Sequence, residues 1–127
     1  MTQGARGESI IQGDGAEYRV LFTNRALAEA ESACGKSVIA IAQGFTNGAT
    51  GIGDVAQMLA VGLEAARKDA RTVGRAYTIG DAYRIMDEVG FTVATRAVME
   101  SVAAVLKFGS EAEAPGTAGE GEDPKGK

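Results

Sequence analysis

The chain contains no histidine and no tryptophan, has a single cysteine and is only 6 % aromatic. Each shortage closes off a class of function. Histidine is the commonest acid–base side chain near neutral pH and the commonest metal ligand. Without it, and with Cys34 as the lone cysteine, Ser–His and Cys–His nucleophile pairs are excluded, and most zinc sites with them. A lone cysteine cannot close an internal disulfide, so the framework of a small secreted domain is ruled out. Few aromatics and abundant alanine imply a light core of Ala, Val, Leu and Ile, which buries less area per residue. Such a domain is expected to be marginal alone and to gain from self-association as a homo-oligomer or from a partner. The opening stretch, MTQGARGES, has no signal-peptide apolar run, and no segment approaches the roughly 18 apolar residues of a membrane span. A cytoplasmic protein without a membrane partner is the expectation.

What remains is enough for one domain. The 127 residues are 45 % hydrophobic, which supports a core with some loose ends. The net charge is −4, whereas a duplex-DNA binder needs a basic surplus to neutralise phosphates, so nucleic acid is not an expected partner.

Glu8 to Gln12 and Glu17 to Phe22 are β-prone runs around Gly13-Asp14-Gly15, which reads as a hairpin. Tyr18, Val20 and Phe22 share one face and must pack on a helix or another subunit, because a lone hairpin is unstable in water. Thr23 or Asn24 can cap a helix carrying Leu27, Ala30 and Cys34, with Gly35 as its stop. Lys36 to Phe45 fits a helix with Val38, Ile41, Ala42 and Phe45 on one face; a buried strand is the alternative, and helix is favoured. Residues 44 to 53, GFTNGATGIG, read as a glycine-rich loop. Asp54 opens a helix with Val55, Met58, Leu59, Leu63 and Ala66 on one stripe. The basic stretch of Arg67, Lys68, Arg71 and Arg75 reads as helix end plus loop. Thr78 caps a helix with Ile79, Ala82, Tyr83 and Met86 on one face and Gly90 as its stop. A final helix from about Phe91 to Phe108 turns Ala94, Ala97, Val98, Val102, Val105 and Leu106 inward. From Gly109 the composition shifts to Gly, Ala, Pro and Glu, which cannot bury enough surface to offset ordering entropy. The expected fold is α+β and mostly α: an N-terminal hairpin, then four or five helices, then a disordered acidic tail. The expected boundaries are a flexible 1–7, a hairpin-plus-helix domain over 8–108 and a tail over 109–127.

Candidate chemistry is thin. Gly35-Lys36-Ser37 resembles the end of a phosphate-binding loop, but the glycine that motif needs five residues earlier is Ala30, and a helical pattern precedes it. A helix C-cap followed by a helix start accounts for it better. The glycines at 44, 48, 51 and 53 lack the spacing of a dinucleotide loop, and no second βα unit follows. Asp81 and Asp87 are about 600° apart on a helix, so they share no face; with Glu88 they read as solvated residues, with Arg84 as a partner. No enzyme activity, no cofactor and no metal is expected. The remaining candidates are partner-binding ones: the hairpin face of Tyr18, Val20 and Phe22, and the basic group of Arg67, Lys68, Arg71 and Arg75. The basic group leaves a small DNA-binding regulator open as an alternative.

The order of hairpin, NRALAEAESACGKSV, GIGDVAQMLAVGL, TIGDAYRIMDEVGF and a final amphipathic helix resembles the small proteins of gene transfer agents and related siphophages encoded between the tail-tube and tape-measure genes. That family is labelled both tail tube protein and tail assembly chaperone. Asn24, Ala26, Leu27, Glu31, Gly35 and Ser37 match its first block. Asp54, Val55, Leu59, Gly62 and Leu63 match the second, and Ile85, Asp87, Glu88 and Gly90 the third. The chain departs from the family pattern in the glycine-rich stretch and in Ala60-Val61, where an aromatic is usual. The resemblance implies a phage tail assembly chaperone that binds the tape measure protein and keeps its long helices soluble. It also implies help in delivering the tail tube protein, and absence from the finished particle. A structural tail-tube-associated protein is the alternative within the same resemblance.

Overall fold

A computed structural model describes residues 6–113. Strands β1 (Gly7–Gly13) and β2 (Ala16–Phe22) form an antiparallel hairpin, followed by α1 (Asn24–Cys34), α2 (Val38–Asn47), α3 (Ile52–Ala70), α4 (Ile79–Val89) and α5 (Phe91–Glu113). This is the expected hairpin with helices after it, five of them among the described residues. Of the tail expected to be disordered, 109–127, the first five residues belong to α5, and 114–127 lie outside the described residues, as do residues 1–5 of the expected flexible start. Helix α5 continues five residues past Phe108, because Gly109-Ser110-Glu111 do not stop it.

The hairpin closes at Gly13–Ala16 around Asp14-Gly15, and Gly15 takes the left-handed φ of 75° that this turn requires. One face of the sheet carries Gly7, Ser9 and Ile11 opposite Phe22, Val20 and Tyr18. Helices α3 and α5 lie against it. Val20 and Phe22 are fully buried on α3, where Gly62 lets the helix approach; a Cβ there would stand 2.6 Å from Val20 Cγ1 and 3.0 Å from the Phe22 ring. On the β1 side, Gly7 admits the Ser101 carbonyl where a Cβ would collide with it. Ser9 Oγ donates to the Ala97 carbonyl at 2.8 Å and pairs with the buried Ser101 hydroxyl at 2.7 Å. These contacts are satisfied hydrogen bonds inside an apolar core, so they cost little and fix the crossing of strand and helix.

Each helix begins and ends for a local reason. Thr23 Oγ1 accepts from the Ala26 N–H at the start of α1, and Ser37 Oγ from the Ala40 N–H at the start of α2. Thr78 and Asp81 form a reciprocal capping box on α4. Gly35 and Gly48 end α1 and α2. The glycine-rich loop is shorter than expected: Gly44 lies inside α2 and Gly53 inside α3, leaving Gly48 to Gly51 as the connection. Gly44 is buried because Thr50 folds back on it, donating to the Ile41 carbonyl at 2.8 Å. The expected stripe on α4 also shifts. Tyr83 is 42 % exposed and Ile79 36 %, while Ala82, Ile85 and Met86 are buried. Helices α4 and α5 meet at 118° across Gly90. No single described helix is long and apolar enough to cross a membrane.

Candidate interaction surface

Helix α2 is the most apolar short element of the chain, VIAIAQGFTN, yet only Val38, Ile41 and Gly44 are buried. It is held to α1 by the Glu31 carboxylate, which accepts from the Val38 N–H at 2.8 Å, and by the Lys36–Asp54 ion pair at 2.9 Å to α3. Its other face is left open. Ala42 and Phe45 of α2 and Met99, Val102, Ala103 and Leu106 of α5 line an apolar cleft of about 210 Å³. Among the described residues, no charged side chain lines it. Met99 also belongs to an adjoining concavity of about 330 Å³ with Phe91, Thr92, Thr95, Arg96 and Glu100. The outer side of α5 is therefore an apolar strip edged by one cation and one anion. Phe91 and Val93 at its N-terminal end are 42 % and 41 % exposed, and Ile39 on α2 is 51 % exposed. An apolar trough between two helices, with a polar rim, is the shape that receives the apolar face of an amphipathic helix.

The residues singled out in the sequence lie elsewhere. The hairpin face of Tyr18, Val20 and Phe22 is covered by helices of the same chain, since the light core needs its largest side chains. Phe22 and Val20 are fully buried. Tyr18 donates to Glu88 Oε1 at 2.9 Å, and that carboxylate, then burial, raises the phenol above its ordinary pKa. Glu88 also accepts from the Asp14 N–H, tying the hairpin tip to α4. The third block of the resemblance thus has a structural role at Glu88.

The basic group is not a continuous patch. Arg67 is paired with Glu64 at 2.6 Å and donates to the Thr72 carbonyl at 3.1 Å. Glu64 also accepts from the Tyr77 N–H at 2.8 Å. Arg67 first, then that N–H, lowers the Glu64 carboxyl to about 2. Arg75 makes a two-pronged bond to Asp81 at 2.8 and 2.9 Å. Asp81 is not the solvated residue expected: it is 6 % exposed, caps α4, and is held well below the usual carboxylate range by Arg75 and then by the Thr78 N–H. Lys68 and Arg71 are exposed on the helix end and its cap. Arg67 and Arg75 thus pin the 71–78 loop, and two of the four cations are engaged with acids. The capping-box spacing Thr78-x-x-Asp81 was visible in the sequence and would have identified that acid.

The motif Gly35-Lys36-Ser37 is distributed over three local tasks: the stop of α1, the ion pair with Asp54 and the cap of α2. Cys34 is partly buried, and its thiol is raised by burial and then by Asp54. Among the described residues no group of three or more His, Cys, Asp or Glu is placed to hold a metal ion.

No curated protein and no solved structure matches the chain. A family model does. The family described as phage tail tube protein, GTA-gp10, matches residues 6–107, which spans the hairpin and all five helices up to the apolar cleft. The chain belongs to that family of phage and gene-transfer-agent tail proteins.

Proposed function

We propose that this protein is a non-enzymatic assembly chaperone of a phage-like tail, and that it holds helical segments of the tape measure protein in the cleft between α2 and α5. The observation that carries the reading is the cleft: Phe45, Met99, Val102 and Leu106 offer apolar surface between two helices, with no charge among the described residues that line it. A tape measure protein is a long helical client, and helix-in-groove docking suits an apolar face of this width. The work would take place in the host-cell cytoplasm, with the chaperone absent from the finished particle and tail tube subunits delivered to the same complex. Co-expression with the tape measure protein is expected to give a soluble complex that copurifies in both directions. Met99→Glu and Phe45→Asp are expected to abolish it while leaving the helical circular dichroism intact. A complex that survives both substitutions refutes the cleft as the docking site.

A structural role in the tail tube is the second reading, and the family description favours it. Against it stand, among the described residues, two seven-residue strands beside five helices, since tube walls are built from long strands. Mass spectrometry of purified particles separates the two. A chaperone is absent or at trace level, whereas a tube subunit is among the most abundant proteins.

A further inference from the structure

The two edges of the hairpin are protected differently. The Asp14-Gly15 loop closes the hairpin at Gly13–Ala16, and bonded and unbonded pairs alternate outward from such a loop. Gly13, Ile11, Ser9 and Gly7 therefore direct their backbone groups to β2. Gln12, Ile10 and Glu8 direct theirs to the outer edge of β1. On β2 the matching outward positions are Glu17, Arg19 and Leu21. That side is closed by α3: Arg19 bonds Asp69 and the Ala66 carbonyl, and Leu21 is 2 % exposed. The β1 edge has no proline, no lysine and no bulge between Gly7 and Gly13, and its one charge, Glu8, is paired with Arg6 and Arg19 of the same chain. At its centre is Ile10, 50 % exposed. A groove of about 350 Å³ runs alongside, with Ile10 and Gln12 on one wall and Val93, Arg96 and Glu100 of α5 on the other.

We infer that this edge pairs with the same edge of a second copy of the chain, β1 against β1, antiparallel about a two-fold axis at Ile10. A two-fold contact requires a strip that complements itself. With Ile10 opposite its own copy, Glu8 falls opposite Gln12 in both directions, so no like charges meet and the two exposed isoleucines cover each other. Arg96 and Glu100 stand one helical turn apart on the groove wall, with opposite signs. A two-fold axis passing between them sets the two α5 helices antiparallel, which turns each Arg96 toward the other copy's Glu100. The result is a four-stranded sheet across the two copies, in which the outward backbone groups of Glu8, Ile10 and Gln12 find partners. This pairing does not depend on the α2–α5 cleft.

Sedimentation velocity of the full chain over a range of concentrations is the test. A monomer–dimer equilibrium is expected, with slowed amide exchange at Glu8, Ile10 and Gln12 as concentration rises. Ile10→Lys is expected to give a monomer with unchanged helical circular dichroism, and a thermal midpoint that no longer rises with protein concentration. Arg96→Glu is expected to weaken the dimer, and Arg96→Glu with Glu100→Arg to restore it. Met99→Glu leaves it untouched. A monomer at every concentration overturns the inference, as does a dimer that persists in Ile10→Lys or a double substitution that fails to restore association.

Discussion

At Gly62 the core has no space for another carbon. A Cβ 2.6 Å from Val20 Cγ1 must push strand β2 off helix α3, so Gly62→Ala is expected to destabilise the fold by roughly 1–3 kcal/mol. Phe22→Ala at the same junction removes the largest fully buried side chain and is expected to cost about 3 kcal/mol. Thermal or urea melts of both variants check the junction, and an unchanged midpoint for either would contradict it. Arg71 offers the opposite sign. It ends α3 with a left-handed φ of 57°, a conformation that costs a side chain and costs glycine little. Arg71→Gly is expected to be neutral to stabilising, by up to about 1 kcal/mol, because the relieved strain outweighs the added freedom of the unfolded chain. Acid response belongs to this scale too. The Glu64 pKa is lowered in the folded chain, from 4.5 to about 2. Its contribution to stability is therefore complete above about 4.5 and lost as pH falls through about 2. Asp81 acts in the same direction. The midpoint is expected to hold steady from pH 7 to 5 and then fall, and Glu64→Gln is expected to flatten part of that fall in a pH series of melts.

Among the elements, α2 is the least tied down. Only two of its side chains, Val38 and Ile41, are buried, one side-chain hydrogen bond joins its first turn to α1, and its far face borders the cleft. Amide exchange in α2 is expected to be faster than in α3, and to slow when the cleft is filled; equal protection of the two helices in the free protein would contradict this. The way the elements are spelled explains which of them could be read in advance. The Asp-Gly turn, the Thr23 cap, the Gly35 stop and the stripe of α3 are local signals, and the structure follows them. The glycine-rich stretch misled because Gly44 is chosen for the closeness of Thr50, a contact no local pattern displays. Tyr83 misled because a four-residue stripe on an eleven-residue helix fits more than one face. The cleft itself was not legible at all. Phe45 and Met99 lie 54 positions apart in the numbering, and their meeting depends on the angle at which α5 leaves Gly90.

For the molecule as a whole, residues 114–127 hold no large apolar side chain. Their removal after Glu113 is expected to leave the melting temperature unchanged, and a clear drop would show that they pack on the domain. The opposite end behaves otherwise. Ser9 reaches Ala97 and Ser101, separations of 88 and 92 residues, and Asp14 reaches Glu88. The first strand is thus closed by the last helix. On a ribosome, which extrudes the chain from its N-terminus, the β1 half of the hairpin's apolar face must wait uncovered until α5 has cleared the exit tunnel. Folding is therefore a late event in synthesis, and a transcript cut short before the codons of α5 yields a chain that is prey for proteases.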